Sequence, residues 1–154
     1  MPAPSDSRAA IEALLYTYAE RLDAGDFEGV AALFAHATLG AAGGPAVTGS
    51  AAVLALYRAS VRRYPDGTPR TRHVTTNVVA TIDEAAGSAT ARSSFTVFQQ
   101  LDDFPLQAIV AGRYHDRFER ADGAWRFAER RMHLDLQGDL SRHLLMPLPA
   151  GARS

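Results

Sequence analysis

Two side chains in this sequence, Asp23 and His73, have the chemistry and the predicted positions of a proton-transfer pair. Asp23 follows Leu15 and Ala19 at helical spacing, which places its carboxylate in the last turn of a predicted helix, at the edge of the apolar face. A carboxylate at that point faces the negative end of the helix dipole, so a positively charged partner would stabilise it. Histidine suits this chemistry because its ordinary pKa of about 6.5 lets it accept or release a proton near neutrality.

His73 begins a predicted strand that carries Thr75, Asn77 and Val79 on the same face, and such a mixed face is typical of a pocket wall. An aspartate bonded to one ring nitrogen would fix the tautomer of the histidine and stabilise the imidazolium that forms. The sequence leaves the structural alternatives open. Asp23 could be a solvent-exposed carboxylate or a turn cap, and His73 a hydrogen-bonded histidine at a strand end.

Three further side chains are candidates for binding substrate and for stabilising an oxyanion or a leaving group. Arg130 offers a planar guanidinium that can clamp an oxygen or a carboxylate. Tyr18 and Tyr114 can each donate a hydrogen bond to a developing oxyanion. The alternatives are that both tyrosines are core residues with a polar tip, and that Arg130 forms a structural ion pair with Asp116 or Glu129.

The elements that must position these residues change character at residue 72. Upstream, the apolar residues recur at helical spacing in three predicted helices. The first is capped within residues 5–7 and ends at Gly25, the second begins at its N-cap Asp26, and the third runs from Ser50 to the turn at 65–67. From residue 72 onwards the apolar period is two, which predicts β-strands instead.

Four strands are predicted, with short connections that make neighbouring strands antiparallel. They cover residues 72–83, 88–101, 106–120 and 124–136, and a short final helix is expected at 139–146. Helices followed by a run of antiparallel strands indicate the α+β class. Strands of this length must twist and curl around the helices, so we expect a cup with an apolar interior.

Length and composition restrict the class of protein. The 154 residues fit one domain, expected over 1–146, with a flexible tail at 147–154. A net charge of -1 gives no electrostatic footprint for nucleic acid or a membrane surface. The absence of cysteine excludes a thiol nucleophile and disulfides. With no signal peptide or apolar span of about 20 residues, a cytoplasmic protein is expected.

No cofactor or metal is predicted, because the sequence has no glycine-rich nucleotide loop, zinc-protease motif or nucleophile elbow. Several segments resemble the SnoaL-like proteins of the nuclear-transport-factor-2-like superfamily. They cover residues 10–19, 22–27, 30–34, 71–77, 112–118 and 122–131, and the similarity extends roughly over 8–145. This resemblance implies a strongly curved antiparallel sheet wrapped around N-terminal helices, the cystatin-like α+β barrel.

The sequence is most similar to the branch that contains scytalone dehydratase, hexachlorocyclohexane dehydrochlorinase and bile-acid 7α-dehydratase. In that branch an Asp–His pair removes a proton, and Asp23 and His73 occupy the matching positions. Arg130 matches an arginine that assists the leaving group in the dehydrochlorinase. Two positions depart from the branch: Tyr18 replaces a lysine, and Ala111 lies near the position of a second pocket histidine.

The resemblance and the residues together predict a cofactor-independent lyase, isomerase or cyclase of dehydratase type. Its substrate would be a small, largely apolar molecule, aromatic or polycyclic, bound in a cone-shaped pocket. Proteins of this fold commonly associate through the outer sheet face, so a homodimer or homotrimer is expected. The alternative from another class is a non-catalytic ligand-binding domain or accessory subunit, because the same fold also serves those roles.

Overall fold

The computed structural model describes residues 4–147, which form one six-stranded sheet wrapped around three helices. The helices are α1 Pro4–Asp23, α2 Phe27–Ala32 and α3 Ser50–Ser60. The strands are β1 Thr38–Ala41, β2 Ala46–Thr48, β3 Thr71–Asp83, β4 Ser88–Leu101, β5 Phe104–Ala121 and β6 Ala124–Gln137. The predicted α+β class, with helices first and long strands afterwards, is confirmed.

The sheet has the strand order β2-β1-β6-β5-β4-β3, in which β1 runs parallel to β6 and every other pair is antiparallel. The four long strands match the predicted ones closely. The two short strands were not predicted, because β1 and β2 contain only four and three residues within an Ala-, Gly- and Pro-rich segment. They pair with each other as a short hairpin, and only β1 joins the sheet by pairing with β6, which lies far away in the sequence.

The helices follow the predicted pattern, with corrections at their ends. The apolar face of α1 is buried, and Asp26 caps α2 by accepting a hydrogen bond from the Gly29 amide at 2.8 Å. The start of α1 was predicted too late, since residues 5–7 already lie inside the helix that begins at Pro4. Gly25 ends α1 at a φ of 75°, and a Cβ there would lie 2.0 Å from the Gly67 carbonyl oxygen. Only glycine fits this position.

A β-bulge in β3 corrects the predicted face of that strand. The register with β4 shifts between Thr76 and Val79, and Asn77 has a φ of 54°. The His73 side chain faces inward. After the bulge, the Val78 side chain packs against the core, whereas Val79 is exposed. The prediction that Val79 shares the face of His73 was therefore wrong, because the extra residue reverses the alternation.

The expected helix at 139–146 is absent. This segment instead forms a turn and an antiparallel bridge between Leu144 and Val61 at the end of α3. The Leu144 amide closes a single turn on the Leu140 carbonyl at 2.9 Å, and the Leu145 amide then donates to the Ser60 carbonyl at 2.9 Å, so the turn does not continue as a helix. Of the tail predicted at 147–154, only Pro147 lies within the described residues. None of the helices in the described part of the chain is long and apolar enough to cross a membrane.

Candidate functional site

The carboxylate of Asp23, the last residue of α1, is bonded to Thr71 and His73, the first and third residues of β3. Its Oδ2 accepts from the His73 backbone amide at 2.8 Å, and its Oδ1 accepts from the Thr71 hydroxyl at 3.0 Å. Nδ1 of the His73 ring lies 2.5 Å from the same Oδ1. These donors offset the unfavourable position of a carboxylate at a helix C-terminus. They also fix the end of α1 against the start of β3.

The structure thus brings Asp23 and His73 within hydrogen-bond distance, as the sequence predicted. An ionised carboxylate only accepts hydrogen bonds, so Nδ1 of His73 donates to it, and in the neutral imidazole Nε2 has the free lone pair. The His73 side chain makes no other hydrogen bond to the described residues. Its exposed fraction is 6% and that of the Asp23 side chain is 14%. This arrangement can accept a proton at Nε2 in a largely water-excluded environment.

A cleft with a volume of about 840 Å³ lies beside this pair. Both Asp23 and His73 line it, together with apolar side chains from α1, β3, β4 and β5. The apolar part of the lining is formed by Tyr16, Ala19, Val74, Phe98 and Leu106. A volume of this size is typical of small-molecule sites.

Arg130 lies in a second polar cluster, on the inner face of the sheet. It forms a bidentate ion pair with Asp116, with Nε–Oδ1 and Nη2–Oδ2 distances of 2.8 and 2.9 Å, and both side chains are fully buried. Burial by itself disfavours the charged guanidinium, but the charge of Asp116 outweighs it and raises the pKa of Arg130. Of the alternatives that the sequence left open for Arg130, the structure shows the ion pair with Asp116. Its Nη1 atom is buried and has no hydrogen-bond partner within residues 4–147.

Tyr18 and Tyr114 both pack against the guanidinium of Arg130. The Arg130 Cζ lies 4.3 Å from the ring centroid of Tyr18 and 3.7 Å from that of Tyr114. The hydroxyl of Tyr18 is 2.5 Å from that of Tyr57, a third buried tyrosine that is not among the predicted site residues. Burial raises the pKa of all three phenols, so each remains a neutral hydroxyl at pH 7.

The five predicted site residues therefore belong to two groups. Asp23 and His73 line the cleft, whereas the described cleft lining does not include Tyr18, Tyr114 or Arg130. Phe95 lies between the groups, because it is paired with Thr75 of β3 and stacks on the Tyr114 ring at a centroid distance of 4.4 Å.

A further histidine lies beside the Asp23–His73 pair, and nothing in the sequence indicated a role for it. His143 is 6% exposed, and its ring centroid lies 6.3 Å from that of His73. Burial and the neighbouring His73 lower the pKa of His143 to about 4, an effect that the charge of Asp23 partly offsets. No motif could have revealed it, since its position depends on the long-range bridge between Leu144 and Val61. Within residues 4–147, no three metal-ligand side chains cluster together.

Comparison with known families and structures supports the predicted relationship. The model of the SnoaL-like domain matches residues 3–131. None of the curated proteins matches this chain.

Three solved structures illustrate the fold. A variant of Rv3472, a protein of unknown function from Mycobacterium tuberculosis, is 27% identical with a TM-score of 0.69, and the match covers 86% of this chain and 76% of that one. A putative scytalone dehydratase from Novosphingobium aromaticivorans is 23% identical with a TM-score of 0.69, covering 94% and 93%. LinA is 22% identical with a TM-score of 0.70, covering 93% and 95%.

Proposed function

Because this chain belongs to the SnoaL-like domain family, we propose that it is a cofactor-independent lyase, isomerase or cyclase of dehydratase type. The observation that supports this most is the Asp23–His73 pair, with Nδ1 bonded to the carboxylate at 2.5 Å and no partner for Nε2 in the described part of the chain. A histidine held in this way has one tautomer and one orientation, as a general base requires.

In the proposed reaction, Nε2 of His73 removes a proton from a carbon next to a carbonyl group. The electrons of the broken C–H bond move into the C–C bond, and negative charge develops on the carbonyl oxygen. Asp23 stabilises the imidazolium that results, and the same histidine returns the proton to carbon or to a departing oxygen. Return of the proton to a different carbon gives isomerisation, whereas cleavage of a C–O bond beside the enolate, with the proton passed to the departing oxygen, gives dehydration.

The candidates for stabilising the oxyanion remain Tyr18, Tyr114 and Arg130. The neutral hydroxyls of the two tyrosines are hydrogen-bond donors, and the Nη1 atom of Arg130 has no partner in the described chain. Because Asp116 already balances the charge of Arg130, these groups would act by hydrogen bonding more than by net charge. A substrate that uses them has to extend past Phe95.

The proposed substrate is a small, largely apolar ketone, aromatic or polycyclic. The volume of about 840 Å³ and the apolar side chains within an otherwise mostly polar cleft lining support this choice. We also propose that the protein acts as a homodimer or homotrimer that associates through the outer face of the sheet.

The experiment measures proton abstraction directly. A panel of aromatic ketones with acidic C–H bonds, beginning with 2-tetralone, is incubated with the protein in deuterium oxide, and loss of the C–H signal is followed by proton NMR. The His73→Ala and Asp23→Asn variants should slow the exchange by about 10²-fold or more. His36→Ala is the matched control, because it removes an exposed histidine and should leave the rate unchanged.

Two results would contradict the proposal. Full exchange activity in both His73→Ala and Asp23→Asn would show that another group removes the proton. If the wild type catalyses no exchange on any ketone of the panel but still binds them, the protein is a ligand-binding domain instead.

A further inference from the structure

The segment 139–146, which follows β6, is held in place by contacts to three other elements. The Leu145 amide donates to the Ser60 carbonyl at 2.9 Å, and the Arg62 amide donates to the His143 carbonyl at 2.9 Å. From β4, the Gln99 side-chain amide donates to the Arg142 carbonyl at 3.1 Å. Hydrogen bonds therefore fix the backbone both before and after His143.

This backbone places the His143 ring beside the Asp23–His73 pair. The two histidine rings lie 6.3 Å apart between centroids, at an interplanar angle of 62°. A ring nitrogen lies less than one bond length from its centroid, so the two rings are too far apart for a direct hydrogen bond. They are close enough for a single oxygen atom to lie between them.

Two buried polar atoms near the pair have no partner within the described residues. They are Nδ1 of His143 and Oε1 of Gln99. Gln99 is 1% exposed, lines the cleft, and is paired across the sheet with Thr71, which bonds to Asp23. His143 is not itself in the described cleft lining and reaches it through its contact with His73. Buried polar atoms without partners are rare in folded proteins, and near a candidate site such atoms are available to bind a ligand.

The protonation state of His143 suits a hydrogen-bonding role. Burial and the neighbouring His73 lower its pKa to about 4, although the charge of Asp23 opposes this shift. The ring is therefore neutral at pH 7, with one donor and one acceptor nitrogen. A neutral imidazole in this position does not repel the protonated form of His73.

We propose that His143 is a second histidine of the substrate site, which binds an oxygen atom of the ligand next to His73. The ligand then carries a hydroxyl or carbonyl oxygen between the two imidazoles, and a hydroxyl there can donate to Oε1 of Gln99. This inference rests on the proposed function, because it assigns His143 to the same ligand that His73 deprotonates.

The test uses the deuterium exchange of 2-tetralone. The His143→Phe variant keeps the ring volume and removes both nitrogens, and we expect it to slow exchange about 100-fold. His143→Gln restores one hydrogen-bonding group and should recover part of that loss. Arg142→Gln is the matched control, because it removes the exposed ion pair with Asp103 and leaves His143 unchanged, so exchange should stay within about twofold.

The outcomes separate this inference from the proposed function. If exchange needs His73 but His143→Phe is as fast as the wild type, His143 has no role in binding and only the inference fails. A loss in Arg142→Gln equal to that in His143→Phe would assign the effect to the segment, which also overturns the inference. If the wild type does not exchange 2-tetralone, the inference fails together with the proposed function for this substrate class.

A second measurement needs no variant and is unaffected if His143→Phe does not fold. The ring nitrogens of the wild type are followed by long-range nitrogen–proton NMR while 2-naphthol is added as a phenolic oxygen probe. Saturable shifts at both His73 and His143 support the inference. Shifts at His73 alone, or no shift at either ring, contradict it.

Discussion

At the scale of single residues, the most consequential interaction inside the sheet is the ion pair between Arg130 and Asp116. Both side chains are fully buried, and the guanidinium is covered by Tyr18 and Tyr114. Removing one partner from such a pair leaves an uncompensated charge in a medium that solvates it poorly. The pair therefore matters for stability whether or not Arg130 contacts a substrate.

Asp116→Asn should lower the free energy of unfolding by about 3–5 kcal/mol, because it keeps the size of the side chain and leaves the Arg130 charge unpaired. Urea denaturation at pH 7 measures this loss. Asp135→Asn is the control, since the ion pair of Asp135 with Arg113 is exposed and should contribute at most about 1 kcal/mol. Equal losses in the two variants would show that water reaches the inner pair.

His143 predicts a pH dependence of stability. Its pKa is about 4 in the folded protein and about 6.5 in the unfolded chain, so between these values the unfolded state binds more protons. The free energy of unfolding is therefore unaffected by the titration of His143 above pH 6.5. It decreases as the pH falls towards 4, because the unfolded chain takes up the proton first.

Between pH 7 and pH 5 this one group should cost the wild type about 2 kcal/mol of unfolding free energy. Urea denaturation at both pH values, in the wild type and in His143→Gln, measures it. Titrating groups remote from the site affect both proteins alike, so the difference between them isolates His143 together with its coupling to His73 and Asp23. The same pH slope in both proteins would mean that His143 is solvated in the folded state.

At the scale of elements, the bulge in β3 determines which side chains face the core. Asn77 has a φ of 54°, and the register shift that it produces turns Val78 towards the core. A β-branched residue at this φ is strained, so Asn77→Val should destabilise the protein by about 1–2 kcal/mol. Asn77→Gly should be nearly neutral because glycine adopts this φ freely. Urea denaturation compares the two, and equal stability of both variants would contradict a left-handed residue at this position.

The same bulge shows which parts of the fold can be predicted from the sequence. Local patterns were sufficient for the buried face of α1, for the Asp26 cap and for the four long strands, since each depends on neighbours a few residues away. The bulge at Asn77, the two short strands and the segment 139–146 were missed. The pairing of β1 with β6 and the course of 139–146 depend on contacts between distant parts of the chain, and the bulge depends on the register between β3 and β4, neither of which periodicity contains.

The candidate site divides in the same way. The proximity of Asp23 and His73 could be predicted because a helix end and a strand start have recognisable signals, and the resemblance supplied their pairing. For Arg130 the sequence left a substrate clamp and a structural ion pair as equal alternatives, and only the register of β5 with β6 places Asp116 opposite Arg130. His143 had no signal, because seventy residues of chain separate it from His73.

At the scale of the whole molecule, the outer face of the sheet has an apolar end and a charged end. Val74, Thr96, Ala111 and Leu136 are directly paired across β3, β4, β5 and β6, and they form an uncharged stripe over the sheet. Val74, which also lines the cleft at the edge of the sheet, is 36% exposed, and Leu136 is 70% exposed. Further along the same strands, the paired residues include Arg117 and Glu129, which are charged. Exposed apolar side chains arranged in this way are typical of a surface that is covered in an assembly.

We therefore expect the protein to be a homodimer or homotrimer that buries this stripe, with a mass in solution that is a multiple of 16.5 kDa. Light scattering coupled to size-exclusion chromatography measures it. Leu136→Asp combined with Val74→Asp should reduce the mass to that of the monomer, because burying two carboxylates in an apolar contact is costly. The control is Thr90→Asp, which adds a charge to the same face beside Arg117, at the charged end, and should leave the mass unchanged.

A monomeric wild type would show that the stripe is not a self-association surface. An oligomer that persists in the double variant would move the interface elsewhere, with the sheet edges at β2 and β3 as the next surfaces to test.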